Sequence, residues 1–362
     1  MPPPFRRFWS RIYAIVAYYL GIWPAVYALR KLSGKRPLLT VFTFHRITDD
    51  KSIGAHLVTY DKGIPQQLFD IQIAQIQRFY ETITLEEFTE VVTGKRVLKR
   101  NSALITFDDA DSEFITQALP VLLKHGCSGV VFAPTDFIES TKRFWHLRVS
   151  NAFHRIDETT WPRVQALAQE FPEGKRNWLD NLDFKKREDL ATACWRFNIA
   201  LDRMAEEEIE KFVDSLEKVT GSEYELGIKT MSWPELKQIR SAGISVESHS
   251  ASHRKLARLT PDQASVELTK SKSLLERRLD VTVSAICYPA GSFDEKVAQL
   301  ALEAGYKVGF TTQFGFIEPP LVGVELLTLT RFDMRGSNKY EVARFLGELP
   351  IRRPKKSWPL KN

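Results

Sequence analysis

A chain of 362 residues, 43% of them hydrophobic, can bury a large core, and its length suits one elaborated barrel or two domains. Lys and Arg outnumber Asp and Glu by only 51 to 45, a dispersed net charge of +6 that supplies no nucleic-acid footprint. Cys127, Cys194 and Cys287 are widely separated and odd in number, which argues against a zinc–thiolate site or a disulfide framework and suits a cytosol-facing protein.

The first element is the uncharged run IYAIVAYYLGIWPAVYAL (12–29), near the roughly 20 apolar residues that cross a bilayer. Its four tyrosines, its tryptophan and Pro24 favour the headgroup zone or bend helices. It therefore reads first as an interfacial, membrane-hugging helix, then as a tilted span, then as a signal peptide cut after VYA. A helix packed on the domain is the plain alternative. Arg6, Arg7 and Arg11 before it and Arg30, Lys31, Lys35 and Arg36 after it leave its orientation unset.

Beyond residue 37, strand and helix patterns alternate. Predicted strands are LLTVFTFH (38–45), TITL (82–85), ALITF (103–107), GVVFAP (129–134), ISVESH (244–249), SAICYP (284–289), VGFTT (308–312) and LLTLTRF (326–332). Most are unbroken apolar runs, the pattern of parallel strands covered on both faces. Thr84-x-x-Glu87, Ser232-x-x-Glu235 and Ser292-x-x-Glu295 read as capping boxes, and Pro234 and Pro261 as first helical residues. The alternation predicts a parallel α/β fold, a (β/α) barrel of seven or eight strands. Between residues 139 and 231, PRVQALAQEF, FKKREDLATACWRF and EEEIEKFVDSLEKV are charged helical patterns, which predicts a helical insertion. The plan is a basic apolar segment over 1–36, a barrel over 37–349 with that insertion, and a basic, proline-rich tail over 350–362.

Ionisable residues cluster where predicted strands end: His45 and Arg46, Asp108 and Asp109, His249 and His253, Tyr288 with Pro289, then Arg331 and Asp333. In a (β/α) barrel these ends share one face, the face that holds active sites. The H-S-x-x-H spacing at 249–253 lets two imidazoles reach one ion, and one carboxylate added makes a three-ligand site with room for water. The second carboxylate of the Asp108–Asp109 pair is then free to take a proton, and a cation relieves the repulsion between the two.

TFDDA…ALPVLLKHGCSGVVFAPTDFI, SHSASH and AICYPAG resemble the first three motifs of polysaccharide deacetylases, the NodB-homology domain of carbohydrate esterase family 4, over residues 38–135 and 232–335. The resemblance implies a distorted (β/α) barrel that removes acetyl groups from sugar polymers with one divalent ion, usually Zn2+, with Co2+, Ni2+ or Fe2+ as alternatives. By motif position it implies Asp108 as general base, Asp109, His249 and His253 as metal ligands, and an oxyanion held by a backbone amide near Tyr288 and Pro289. Ser248 and Ser250 are expected to tie down the histidine loop. Three departures stand out. Ala110 replaces the usual glycine, which a turn accepts at negative φ. Cys287 stands where an arginine usually orients the base, so Arg331 is the candidate replacement. No histidine follows His253, so His45 is the candidate general acid, with His253 or a metal-bound water as alternatives. Phe144 and Trp145 read as anchors of the insertion or as a sugar platform. The expected substrate is an N-acetylated amino sugar in a surface polymer, oligomer or glycolipid, met at the cytoplasmic side of the inner membrane by a peripheral or single-span protein, with export as the alternative. Other readings are a catalytically weak carbohydrate-binding protein and an amidase acting on a non-sugar amide.

Overall fold

The computed structural model describes residues 4–49, 63–171, 179, 181–222, 227–334 and 338–351. His56 and residues 352–362, which make up nearly all of the basic tail, lie outside them. The strands are β1 (Leu39–Phe44), β2 (Ile47–Thr48), β3 (Ile64–Pro65), β4 (Glu81–Thr82), β5 (Ser102–Phe107), β6 (Gly129–Ala133), β7 (Ile244–Ser248), β8 (Ala285–Cys287), β9 (Val308–Phe310) and β10 (Phe332–Asp333). Eight of them form one parallel sheet in the order β10-β1-β5-β6-β7-β8-β9, with β4 beside the start of β5, while β2 and β3 stand outside it. Leu329 bridges to Phe310 of β9, and Phe332 pairs with Phe42 of β1. Residues 329–333 thus join both edges and curl the sheet into the expected barrel.

Side-chain alternation decides what each strand end presents. Phe42, Phe44, Ala103, Ile105, Phe107, Val131 and Ile286 pack outward, in a cluster shared with the surrounding helices. Leu39, Val41, Leu104, Val130, Phe132, Cys287, Val308, Phe310 and Leu329 pack inward, in a second cluster. Counting on by twos, Asp108 follows Leu104, and Arg331 follows Leu329. Both polar side chains therefore continue the inner face.

The helices are α1 (Pro4–Tyr19), α2 (Ile22–Leu32), α3 (Gln66–Phe79), α4 (Leu85–Val92), α5 (Leu119–Lys124), α6 (Trp145–His154), α7 (Trp161–Ala168), α8 (Arg187–Leu201), α9 (Glu206–Thr220), α10 (Trp233–Ser241), α11 (Pro261–Leu279), α12 (Glu295–Glu303) and α13 (Lys339–Glu348). The capping boxes at Thr84/Glu87 and Ser232/Glu235 form as read, and Thr260/Gln263 makes another. The Ser292 box does not: Asp294 caps α12 by accepting from the Val297 amide, 2.8 Å away, while Ser292 accepts from Ala257. Pro234 occupies the second position of α10, not the first. The predicted strand 326–332 is not continuous: Leu326 and Leu327 end a 3₁₀ turn (Gly323–Leu327), Leu329 makes a single bridge to Phe310, and ladder pairing begins only at Phe332.

The chain divides into two compact units, one comprising 1–47, 64–139 and 230–362, the other 48–63 and 140–229. Within the second unit α6–α9 enclose their own core around Phe153, Phe197 and Val213, and Arg148 of α6 pairs with Glu210, Asp214 and Glu217 of α9. Trp145 packs on that core and Phe144 stacks on His146, so neither the sugar-platform nor the barrel-anchor reading draws support from these contacts.

The N-terminal run is two helices, not one: it breaks at Leu20–Gly21 and bends by 61°. No single described helix is long and apolar enough to cross a membrane. Trp23 of α2 is only 2% exposed, and its ring lies where a Cβ on Gly347 of α13 would have to stand. Tyr27 donates to the Leu346 carbonyl at 2.9 Å. The plain alternative, packing on the domain, describes α2, while part of each helix stays exposed. Replacing Trp23 with Ala should cost about 3 kcal/mol of unfolding free energy. An unchanged urea midpoint would mean that α2 is not part of the cooperative unit.

Candidate active site

Asp108 ends β5 and is 3% exposed. Its amide donates to the Phe44 carbonyl at 3.0 Å, so the sheet sets its backbone. Arg331, itself 2% exposed, grips the carboxylate with both Nη atoms, each 2.7 Å from one oxygen. The arginine is braced in turn: its Nε donates to the Thr311 carbonyl at 3.0 Å. Cys287 offers its thiol to Asp108 Oδ2 at 3.5 Å, and His45 Nε2 lies 3.8 Å from the same oxygen with its own side chain 43% exposed. Burial alone would raise the Asp108 carboxyl, but the Arg331 charge and hydrogen bonds, helped by His249 and His45, bring it down to about 2. Asp108 is thus an anion throughout the physiological range.

Asp109 turns the other way. The chain enters the left-handed region there, at φ 70°, and stays in it at Ala110, at φ 52°. That reversal aims the second carboxylate at the histidines. Asp109 Oδ1 is 3.4 Å from His249 Nε2 and 3.2 Å from His253 Nε2, and it has no hydrogen-bond partner although buried. The three ligand atoms lie within 4.8 Å of one another. Ligands sharing a tetrahedral ion at about 2.1 Å stand about 3.4 Å apart, so this set fits a divalent cation. His249 donates its Nδ1–H to the Cys287 carbonyl at 2.7 Å, which leaves the Nε2 lone pair facing Asp109. Burial would raise Asp109, but the two imidazoles bring it well below the usual carboxylate range. Burial would lower His249, but Cys287 and Asp109 push it well above an ordinary imidazole.

The histidine loop is held from outside. Glu267 of α11 accepts the amides of Ala251 (3.0 Å) and Ser252 (2.8 Å) together with the Ser252 hydroxyl. Ser248 and Ser250 tie down the loop as expected: Ser248 Oγ accepts the Ser250 amide and shares a hydrogen bond with Ser271 of α11, and Ser250 Oγ accepts the His253 amide. Glu247, buried behind them, receives the Ser284 and Ala285 amides (2.8 and 2.7 Å), and burial pushes its carboxyl up to about 8. Arg46 is buried and pairs with Glu113 (2.7 Å) and Asp111 (3.5 Å), bracing the turn after Asp109. Among the described residues, five of the seven non-glycine residues at positive φ (Asp109, Ala110, Ser250, His253 and Ala290) lie in the loops of this site, the clustering that functional sites show.

The structure brings Asp108, Asp109, His249, His253, His45 and Arg331 together. Arg331 is fully buried against Asp108, and Cys287, also buried, touches the same carboxylate. Two expectations change. The Tyr288 amide is not available for an oxyanion because it donates to the Phe310 carbonyl at 3.1 Å, and Pro289 has no N–H. Gly291 and Ser292 donate to Tyr288 and Pro289, so Ala290 carries the uncommitted amide of that segment among the described residues. Ala110 does not keep a negative φ. Glu267, Glu247 and the pairing of Arg46 were not foreseen: their signal is a contact with a distant loop, which spacing does not encode.

Ala110→Gly should leave stability within about 1 kcal/mol of the parent, because relief of left-handed strain offsets a lost methyl and added chain entropy. Ala110→Val should cost more than about 2 kcal/mol, which denaturant titration resolves. Arg331→Met should lose about 3–5 kcal/mol at neutral pH by stranding a buried anion. The sign with pH is fixed: a carboxyl depressed to about 2 stabilises above its unfolded value of 3.8 and loses that contribution as pH falls towards 2. The gap between parent and variant should therefore narrow by about 2 kcal/mol between pH 4 and pH 2.

A family model described as polysaccharide deacetylase matches residues 95–309. A Bacillus subtilis protein with the provisional name polysaccharide deacetylase YxkH is 36% identical over 81 residues, 22% of this chain, and the match spans only 29% of that relative. Among solved structures, the Streptococcus pyogenes deacetylase PplD in complex with acetate superposes with a TM-score of 0.56 at 17% identity, over 87% of this chain and 100% of that one. IcaB from Ammonifex degensii gives 0.54 at 14% identity, over 86% and 98%. At these identities the structures speak for the fold, and the family match speaks for membership. The chain belongs to the polysaccharide deacetylase family.

Proposed function

We propose that the chain is a metal-dependent hydrolase that removes N-acetyl groups from amino sugars of a surface polysaccharide or oligosaccharide. The observation that carries this reading is the convergence of Asp109, His249 and His253, from two strand ends, beside a second carboxylate that does not join them. Zn2+, or Co2+, Ni2+ or Fe2+ in its place, would be held by these three residues and would supply a Lewis acid and a water of lowered pKa. The polysaccharide deacetylase family and the name of the Bacillus subtilis relative support a sugar polymer as the substrate class, and the acetate-bound deacetylase PplD supports the acetyl group.

The side chains divide the remaining work. Asp108, fixed at both oxygens by Arg331, receives a proton at Oδ2, the oxygen that also faces His45. A carboxylate held near 2 is a weak base, so the proton must move on, and His45, within 3.8 Å and open to solvent, passes it to the departing amine. Arg331 positions the carboxylate and does not touch substrate. The Ala290 amide, in its left-handed turn, is the donor suited to the developing oxyanion.

With Zn2+ or Co2+ supplied, the purified protein should release acetate from N-acetylglucosamine oligomers. Asp109→Ala should abolish metal retention, measured by elemental analysis. Asp108→Asn should keep the metal and lose at least about 100-fold in kcat. Because a metal takes the neutral imidazole and His249 is pushed well above an ordinary imidazole, metal binding should release protons and weaken steeply as the medium turns acidic, which calorimetry in buffers of different ionisation heat reads directly. Acetate release that persists in Asp108→Asn would remove the base assignment, and a metal-loaded protein inert on every such oligomer would favour a non-sugar amide.

A further inference from the structure

A second feature lies at the opposite end of the barrel, where β1, β4 and β5 begin. A cavity of about 650 Å³ opens there between α2, the segment leading into β1, and the loops before β4 and β5. Arg30 and Lys31 of the last turn of α2, with Lys35 and Arg36, form one wall. Arg78, Lys99 and Arg100 face them, and Glu81 is the single acid in the lining. Among the described residues none of these seven cations forms an ion pair, and Arg30 Nε is buried without an acceptor. Unneutralised positive charge around a concavity concentrates the field within it, the setting in which a phosphate is held.

The rim of this cavity is apolar. Pro24, Tyr27, Ala28 and Lys31 of α2 line it, at the spacing of one helix face. Leu29 and Leu32, on the adjoining face, are 64% and 83% exposed. On α1, which packs against α2, Trp9, Tyr13 and Val16 are exposed at the spacing i, i+4, i+7, and Leu20 follows at the break between the two helices. Exposed apolar side chains are ordinary singly, but a row of them with Trp and Tyr, on a helix packed against the cation-bearing α2, matches the headgroup zone of a bilayer.

We propose that this end of the barrel docks on an anionic phospholipid bilayer, with headgroup phosphates in the Arg/Lys cavity and the exposed side chains of α1 and α2 in the interfacial layer. Charge complementarity argues for the anionic lipid, and the apolar rim argues for a lipid over a free phosphate, which would leave Leu29 and Leu32 unused. The proposal does not rest on the assigned chemistry.

Flotation of the full chain with phosphatidylcholine vesicles, with and without phosphatidylglycerol, tests it. Binding should require phosphatidylglycerol and weaken with salt. Lys31→Gln/Lys35→Gln/Arg100→Gln should weaken it roughly 100-fold, at about 1 kcal/mol per surface cation. Leu29→Gln/Leu32→Gln should weaken it as well, with acetate release from soluble oligomers and circular dichroism unchanged in both variants. Equal partition onto both vesicles, or a triple variant that binds like the parent, overturns the proposal. So does glycerol 3-phosphate in solution binding as tightly as the vesicles, since the cavity would then serve a soluble phosphate.

Discussion

A buried carboxylate with no partner costs several kcal/mol, and the site is arranged around avoiding that cost at Asp108. Arg331 meets it with two parallel hydrogen bonds, an arrangement that fixes direction as well as charge. The same contact ties the last segment of the barrel to β5, so it closes the sheet and aims the carboxylate at once. Asp109 depends on it indirectly. With Asp108 locked inward, the chain reverses through two left-handed residues, and only that reversal delivers the next carboxylate to the histidines.

The charge partner of Asp108 reaches it from the residue just before β10, the replacement that the sequence suggested. Cys287 occupies the position expected of an arginine, and its thiol still touches Asp108 at 3.5 Å. The guanidinium comes instead from position 331. The inner faces of the barrel strands converge, so the direction from which a cation approaches matters less than its arrival at both oxygens.

Much of this was legible in the chain because strand ends in a parallel barrel share one face. Alternation alone places Asp108, Cys287 and Arg331 inward, and the spacing of His249 and His253 reads as a pair wherever it falls. Local signals with a strict geometry also held, such as the boxes at Thr84 and Ser232. What failed depended on competition between neighbours. Ser292 lost its capping role to Asp294, which stands next to the helix, and the Tyr288 amide was taken by the sheet. Ala110 adopted a conformation its side chain disfavours because the loop demands it. Glu267 was invisible because its task is set by the approach of α11 to a loop 15 or 16 residues earlier. The domain-packed fate of Trp23 hinged on Gly347, more than 300 positions away, where the missing side chain makes room for an indole.

The strands of this barrel run from the basic cavity to the paired aspartates, and β1 and β5 each span six residues. At about 3.3 Å per residue that distance is roughly 20 Å. On the docking proposed above, a molecule seated by its basic end would carry its paired aspartates away from the lipid, about that far above the headgroup layer. Such a posture would discriminate by height, bringing glycans that project into the aqueous phase within range and leaving short ones lying flat out of it.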